Sequence, residues 1–278
     1  MQSLIRASMF VALLSCGSAL ADKDDRDDKN DFVPPTVFQA AGPNPASIQS
    51  SVDDFRAALG SPNNGNSAGP LANGRREINW DGGGANLNTD VPVTPFNVFL
   101  NTRGGQFITP GTGLAQAPVA GGPQGGLAEL FDNPTYGAIF RTFSPQRLFT
   151  AVGSNITEAL FFVPGTVGTQ PAVVRGFGAV LTDVDQPDGS GRSKKQATRK
   201  ASTLIEYFDA DGDLLFVGAV PASPGDGGLS FLGIVFPDAR IARVRITTGN
   251  VAAGPNDDRK HDVVMMDDFL YGEPQPLR

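Results

Sequence analysis

The chain has 278 residues, a formal net charge of −7 and one cysteine, Cys16. An acidic chain repels phosphate backbones and anionic membrane surfaces, which argues against binding to nucleic acids or to membrane surfaces. Cys16 falls inside a predicted signal peptide, so the mature chain would have no disulfide framework, no thiolate zinc site and no cysteine nucleophile.

The first residues carry the features of a secretory signal. Arg6 precedes a short apolar stretch, and Ala19 and Ala21 put small residues at the two positions that a signal peptidase reads. This pattern predicts a signal peptide over residues 1–21 and export to the periplasm or the medium. A lipobox-like stretch that ends at Cys16 leaves an alternative open, in which that cysteine carries a lipid anchor. No later stretch is apolar for long enough to predict a membrane-spanning segment.

Two segments precede the most regular part of the sequence. Residues 22–47 begin with a mixed run of Asp, Lys and Arg that cannot bury apolar area, and they predict a disordered acidic spacer. Residues 48–146 are rich in Gly, Pro and Asn, which predicts a loop-rich part that packs on a sandwich.

Residues 50–60 predict the first of one or two short N-terminal helices. A serine at the start of this segment can cap the helix, and Gly60 can end it. Val52, Phe55 and Leu59 fall on one face at helical spacing. The predicted helix therefore docks on the rest of the protein through that face.

From residue 147 onward, apolar stretches of strand length recur at close spacing, and each ends at Gly, Pro or Asp. About eight such strands are the number that a jelly roll needs. The sequence therefore predicts an all-β fold, a jelly-roll-like two-sheet sandwich over residues 147–278. Between two of the strands, Asp211-Gly212 predicts a hairpin turn, because glycine supplies the positive φ. The predicted strands are residues 148–152, 159–163, 173–184, 203–208, 214–220, 229–236, 241–247 and 263–271.

The last predicted strand reads MMDDFLY over residues 265–271. It resembles the closing strand of calcium-binding jelly-roll modules, such as many carbohydrate-binding modules. That resemblance implies that Asp268, with Asp267 as its neighbour, binds a structural Ca²⁺. Residues 148–272 also resemble the C-terminal part of uncharacterised bacterial exported proteins, a group without an assigned activity. The motifs that carry this second resemblance are GFGA at 176–179, TDVD at 182–185, FDADG at 208–212 and IARVRI at 241–246.

Two adjacent carboxylates in an apolar strand are costly, because at least one of them would face the core. A calcium ion, which takes six to eight oxygen ligands, would relieve that cost. Further oxygens can come from Asn79, Asp81 or Asn88 if the strand before Trp80 pairs nearby. In the alternative interpretation, the two aspartates lie at the strand end and are hydrogen-bonded or exposed.

The sequence offers little for catalysis. Its one histidine, His261, has no G-x-S-x-G motif to accompany it, and the ligands of a zinc hydrolase are missing. We therefore expect an exported non-catalytic domain with a structural or surface-interaction role, stabilised by Ca²⁺. A carbohydrate-binding module is the alternative, with a glycan or cell-surface polymer as partner, although one Trp and three Tyr are few for sugar platforms. A carboxylate-dependent glycan hydrolase is the second alternative.

Overall fold

Two antiparallel β-sheets account for most of the regular structure in this computed structural model. The structure describes residues 33–81, 92–121, 125–185, 202–223, 225–255 and 261–277. The predicted signal peptide and Asn88 lie outside these ranges. Within the described ranges, no helix combines the length and the apolar character needed to cross a bilayer.

The regular elements are mostly short strands, and helix α1, with 15 residues, is longer than the other described helices. The strands are β1 (Thr36–Gly42), β2 (Arg75–Ile78), β3 (Gly105–Ile108), β4 (Gly113–Pro118), β5 (Arg147–Val152), β6 (Ile156–Phe161), β7 (Ala172–Val173), β8 (Gly176–Thr182), β9 (Leu204–Phe208), β10 (Leu214–Ala219), β11 (Leu229–Val235), β12 (Arg243–Thr247), β13 (Met265–Gly272) and β14 (Gln275–Pro276). The helices are α1 (Pro45–Leu59), α2 (Leu100–Arg103), α3 (Leu127–Leu130) and α4 (Tyr136–Ile139).

The strands assemble into two sheets and a small ribbon. Sheet A has the order β1-β11-β8-β13-β5-β4, and β2 also pairs with β13. Sheet B has the order β10-β9-β12-β6-β3, and β7 pairs with β14 in the ribbon. The predicted all-β two-sheet sandwich is confirmed. The predicted strands after residue 147 match β5 to β13 to within a few residues.

The two sheets enclose a core that is rich in aromatic rings. Trp80 stacks on Phe149 with ring centroids 3.8 Å apart, and it packs edge-on against Phe107 and Phe269. All four side chains are fully buried. Offset and edge-on aromatic pairs add to the free energy gained by burying apolar area. This cluster joins the chain that follows β2 to strands of both sheets.

Helix α1 covers the outer face of sheet A. It begins earlier than predicted, because Asn44 caps it by accepting the N–H of Ser47 at 3.2 Å. Gly60 ends the helix as predicted, with φ of 109°. The predicted apolar face is buried, and the ring of Phe55 lies so close to β11 that a Cβ on Gly233 would stand 2.8 Å from it. A second apolar cluster, from α3, α4, β5 and β13, covers a further part of the sheet.

The strand content extends beyond the predicted domain boundaries. Residues 36–42, which the sequence assigned to the disordered spacer, form β1 and pair with β11 along their whole length. Strands β2, β3 and β4, from the predicted loop-rich part, also belong to the sheets, so the sandwich is not confined to residues 147–278. These strands are difficult to predict from the sequence, because they are short or carry small residues, such as Ala40 and Ala41 in β1. Spacer residues 22–32 lie outside the described ranges.

The predicted hairpin connects β9 and β10, which pair antiparallel. Gly212 has φ of 90°, as the tight turn requires. The carboxylate of Asp209 accepts the N–H groups of Asp211 and Asp213 at 3.0 and 2.8 Å. These bonds make the acidic residues between β9 and β10 part of the turn.

A buried ion pair joins β2 to the residue that follows β13, and the same two side chains hold the loop between α1 and β2. Arg76 contacts Glu273 through two hydrogen bonds of 2.6 and 2.7 Å, and both side chains are almost fully buried. Glu273 also accepts the Asn64 side-chain amide and the Leu71 N–H. Because each partner has its hydrogen bonds satisfied, the charges are tolerated in the interior.

We expect Glu273→Gln to lower the free energy of unfolding by about 3–5 kcal/mol, because it leaves the charge of Arg76 buried without its counter-ion. Asp238→Asn, which weakens the exposed pair of Asp238 with Arg240, should cost less than about 1 kcal/mol. Urea unfolding followed by Trp80 fluorescence measures both values. Equal costs in the two variants would contradict the role assigned to the buried pair.

Candidate functional site

A β-bulge in β13 turns two aspartates to the same side of sheet A. The register with β8 shifts between Met266 and Phe269, so Asp267 and Asp268 together stand opposite one residue, Val180. In a regular strand, neighbouring side chains point to opposite faces, whereas a bulge re-aims one of them. Both carboxyl groups lie within 3.5 Å of the same serine hydroxyl, which places them on one side.

That hydroxyl belongs to Ser144, and it lies between three carboxyl groups. Ser144 Oγ donates a hydrogen bond to Asp268 Oδ1 at 2.6 Å, and it lies 3.3 Å from Asp81 Oδ2 and 3.5 Å from Asp267 Oδ1. We call Asp81, Asp267 and Asp268 the carboxylate cluster. A hydroxyl has one proton to donate, so Ser144 can fully satisfy only one of the three groups. The structure therefore brings together three of the five candidate metal ligands named from the sequence, and Asn88 lies outside the described ranges.

Backbone amides supply further hydrogen bonds to the cluster. Phe143 donates its N–H to Asp267 Oδ2 at 2.5 Å, and Gln146 and Arg147 donate theirs to Asp81 Oδ1. The three donors lie within residues 143–147, which lead into β5 and include its first residue. The cluster thus connects that segment to β13 and to the chain just after β2.

Trp80 sets the position of Asp81, whereas Asn79 turns away. Trp80 Nε1 donates to the backbone oxygen of Asp267 at 2.8 Å, and its φ of 62° lies in the left-handed region that bulky residues rarely adopt. Asn79 is exposed, and its side chain accepts the N–H of Asp81 at 3.4 Å. Asn79 therefore faces solvent in its own turn and is not brought to the carboxylate cluster.

Burial raises the pKa of Asp267 well above its ordinary value, and the negative charge of Asp268 adds to the rise. The N–H of Phe143 acts in the opposite direction on the pKa of Asp267. Burial also raises the pKa of Asp268, while the hydrogen bond from Ser144 lowers it. Two adjacent buried carboxyl groups resist joint ionisation, so the cluster favours a bound proton or a cation.

Arg56 of α1 brings a positive charge to the edge of the cluster. Its Nη2 lies 3.9 Å from Asp268 Oδ2 but 3.0 Å from Glu77 Oε2, and its Nη1 contacts Asp53 at 3.0 Å. Because Glu77 and Asp53 lie closer to the guanidinium, Arg56 neutralises the cluster only in part.

The donor set of the cluster consists of oxygen atoms, which Ca²⁺ prefers. However, within the described ranges no group of three or more Asp, Glu, His or Cys side chains is arranged to hold a metal ion. One oxygen of each carboxyl group lies within 3.5 Å of the Ser144 hydroxyl, while Asp81 Oδ1 and Asp267 Oδ2 accept backbone N–H groups. The ligand types fit calcium, and the side chains would have to rotate to enclose it.

Three surface clefts lined by described residues lie away from the cluster. They have volumes of about 340, 390 and 320 Å³. None of the three is lined by Ser144, by His261 or by a member of the carboxylate cluster. Asp267 and Asp268 are 0 % and 4 % exposed, so both side chains are almost fully buried.

The residues that most often form sugar-binding platforms are also inside the protein. Trp80 and the three tyrosines, Tyr136, Tyr207 and Tyr271, are all fully buried. A platform for a sugar ring needs an exposed aromatic face with a polar edge. Trp and Tyr therefore provide no such platform on this surface.

Comparison with known proteins does not assign the chain to a family, since no protein-family profile, curated protein or solved structure matches it. The resemblance of the last strand to calcium-binding jelly-roll modules stays an expectation from the sequence.

In EDTA, we expect the stability of the protein to fall as the pH rises from about 4 toward neutrality. The pKa of Asp267 is raised in the folded state, so folding favours the protonated carboxyl group. The stability that the protonated Asp267 contributes is fully present below the ordinary pKa of 3.8. It is lost as the pH rises toward the pKa of Asp267 in the folded protein. Asp267→Asn should reduce this fall, of which Asp268 retains a part because burial raises its pKa too, and should raise the Tm at pH 7 by ~2–4 °C.

Thermal melting of the two proteins between pH 4 and pH 8 (about one measurement per half unit) checks this expectation. Asp211→Asn is the matched control, because Asp211 is exposed in the β9–β10 turn and should keep the wild-type pH profile. A wild-type Tm that is independent of pH in EDTA would show that Asp267 is not held protonated.

Proposed function

We propose that this chain is an exported, non-catalytic β-sandwich domain with a structural or surface-interaction role, and that Ca²⁺ bound at the carboxylate cluster stabilises it. The observation that carries the proposal is the bulge in β13, which buries Asp267 and Asp268 side by side. Burial of two like charges is unfavourable unless a cation or a proton neutralises them. Calcium would supply the positive charge that Arg56 supplies only in part.

The chemistry of the cluster favours calcium over other metals. Its side chains offer carboxylate and hydroxyl oxygens and no imidazole or thiolate, which suits Ca²⁺ or Mg²⁺ rather than zinc or copper. Mg²⁺ demands near-ideal octahedral geometry at short distances and gives up its waters reluctantly, whereas Ca²⁺ accepts irregular geometry. Asp81, Asp268 and Ser144 stand in such an irregular arrangement.

A cation at this position would act on the fold as a whole. The cluster joins β13 in the middle of sheet A, the segment before β5 and the chain after β2. These segments are far apart in sequence, so their connection in the folded state opposes separation on unfolding. This supports a structural role for the ion.

Two features support the non-catalytic part of the proposal. The buried carboxyl groups of Asp267 and Asp268 converge on one hydroxyl rather than flanking an open cleft, as a glycosidase would require. The burial of Trp80 and the three tyrosines gives less support to carbohydrate binding. Export rests on the N-terminal features of the sequence, which lie outside the described residues.

We expect Ca²⁺ to raise the Tm of the metal-free protein at pH 7. A ligand that binds only the folded state stabilises it by RT ln(1 + [L]/Kd), or about 2 kcal/mol at ~5 mM Ca²⁺ for a Kd of ~10⁻⁴ M. For a domain of this size that corresponds to ~4–8 °C. Thermal melting in EDTA and after addition of Ca²⁺ measures the shift.

Asp268→Asn should abolish most of this shift, because it removes the carboxylate that the cluster holds closest to Ser144. Asp226→Asn, at an exposed turn position, should retain the shift and serves as the control. Mg²⁺ at the same concentration should have a smaller effect. An unchanged Tm of the wild-type protein in EDTA and in Ca²⁺ would contradict the calcium part of the proposal.

In a bacterial expression host, we expect the exported protein to begin at Asp22, because cleavage follows Ala21. Intact-mass measurement of periplasmic and medium fractions gives the N-terminus. Cys16→Ala should leave this product unchanged. A product that begins at Cys16 and carries added acyl mass would support the lipid-anchor alternative instead.

A further inference from the structure

A surface cleft beside the start of β8 carries an arginine without a carboxylate partner. The cleft has a volume of about 340 Å³, which lies at the lower end of the range of small-molecule sites. Its lining comes from the residue before β8, the loop between β11 and β12, the residues after β13, and the end of α1 with the loop that follows it. Several separate parts of the chain therefore meet around one concave surface.

Arg175 is the arginine of this cleft, and its guanidinium group makes little use of its donors. Its Nε donates to the backbone oxygen of Phe236 at 3.4 Å, which is long for a hydrogen bond. Within the described ranges, no Asp or Glu oxygen lies within 4.0 Å of the Arg175 guanidinium, which makes no further hydrogen bond there. A guanidinium group has five N–H donors, so most of them are available to a ligand.

The side chain of Arg175 is nevertheless held in position. A Cβ on Gly272 would stand 2.9 Å from Arg175 Cγ, so the aliphatic part of Arg175 packs on the backbone of β13. The backbone oxygen of Arg175 accepts the N–H of Phe236 at 2.7 Å. A guanidinium group that is positioned in advance loses less side-chain entropy when a ligand binds to it.

The acidic groups near the cleft are already neutralised. Glu273 lines the cleft, but both of its oxygens accept from Arg76, at 2.6 and 2.7 Å. Asp238, which lies next in sequence to a lining residue, contacts Arg240 at 2.6 Å. The cleft therefore keeps the positive charge of Arg175, and that charge favours an anion as the ligand.

The rest of the lining carries no charge. Gly60 and Gly74 lie at the two ends of the loop between α1 and β2, and a Cβ on Gly60 would stand 3.7 Å from the Gly74 nitrogen. Ser61 and Asn73 are the next residues inside that loop, and both are exposed. A hydroxyl and an amide can donate and accept hydrogen bonds, which suits the hydroxyl groups of a polar ligand.

We propose that this cleft binds a small hydroxy acid, with its carboxylate on Arg175 and its hydroxyl groups at Ser61 and Asn73. The fork of an arginine matches a carboxylate through two parallel N–H···O bonds, so the charge and the geometry of the ligand are both recognised. The volume of the cleft suits one small molecule. The proposal goes beyond calcium binding and does not rest on it, because no member of the carboxylate cluster lines the cleft.

Titration of the isotope-labelled full-length chain with gluconate, followed by amide-resolved NMR, tests the proposal. Sorbitol is the control ligand, because it carries a hydroxymethyl group where gluconate has its carboxylate. In EDTA and at constant ionic strength, gluconate should cause saturable shifts of the Gly60, Ser61 and Gly74 amides and of the Arg175 Nε–H. We expect a dissociation constant of about 1 mM and no saturable shift with sorbitol. Glycolate and malate extend the series to shorter acids.

The role of Arg175 is tested by substitution. Arg175→Gln should weaken the binding of gluconate by about 10- to 100-fold, because it removes a charge-assisted pair. Arg175→Lys keeps the charge without the fork and should weaken binding less. Arg141→Gln is the matched control, because Arg141 is exposed, donates to the backbone oxygen of Pro43 and lies outside the cleft. Thermal melting establishes that each variant is folded.

Four results would overturn the proposal. The wild-type chain could show no saturable shift with any of the three acids, or it could bind sorbitol as well as gluconate. The shifts could centre on residues away from the cleft. A folded Arg175→Gln variant could bind gluconate as tightly as the wild type does. If Arg175→Gln does not fold, the shifts of the wild-type chain and the affinity of Arg175→Lys decide the outcome.

Discussion

The burial of two adjacent carboxyl groups in β13 is the constraint on which the rest of this structure depends. β13 lies in the middle of sheet A and pairs with β8, β5 and β2. A charged side chain at such a position is tolerated only if hydrogen bonds, a proton or a counter-ion compensate for lost water. The bulge at Asp267 and Asp268 turns both groups out of the inter-sheet core and toward donors from other parts of the chain.

Several segments that are distant in sequence contact Asp267 and Asp268. Trp80 packs in the inter-sheet core and donates a hydrogen bond to the backbone of Asp267. These contacts fix Trp80 and thereby the position of the next residue, Asp81. The segment before β5 presents its backbone N–H groups and Ser144 to the carboxylates. At the other end of β13, the buried pair of Arg76 and Glu273 holds a long glycine-rich loop. The loop between α1 and β2 and the segment before β5 are therefore both held by contacts with one central strand.

The deep burial of these carboxyl groups supports the structural role proposed for them. Catalytic carboxylates must meet a substrate, whereas Asp267 and Asp268 are sealed beneath α1 and the segment before β5. Their raised pKa values arise mainly from burial, and burial keeps water and substrate away as well. A proton and a calcium ion are alternative ways to neutralise the same charges, which is why pH and metal are varied separately in the experiments above.

The sequence by itself determined the class of the fold and singled out three carboxylates that the structure brings together. Period-two apolar stretches after residue 147 mark strands directly, and an Asp-Asp pair inside such a stretch is conspicuous because it opposes burial. The sequence could not show the bulge, since the register of Asp267 and Asp268 against Val180 depends on pairing with β8. It also could not identify Ser144, which lies more than a hundred residues away, or exclude Asn79, whose neighbour Asp81 does reach the cluster.

Only the tertiary structure decided those points, because long-range strand pairing sets where side chains separated in sequence meet. The same reason explains β1: its small residues give no periodic signal alone, and its partner β11 makes it a strand. The local sequence pattern determined which segments form strands and which residues are costly to bury. Pairing across the sheets decided which of those residues face one another.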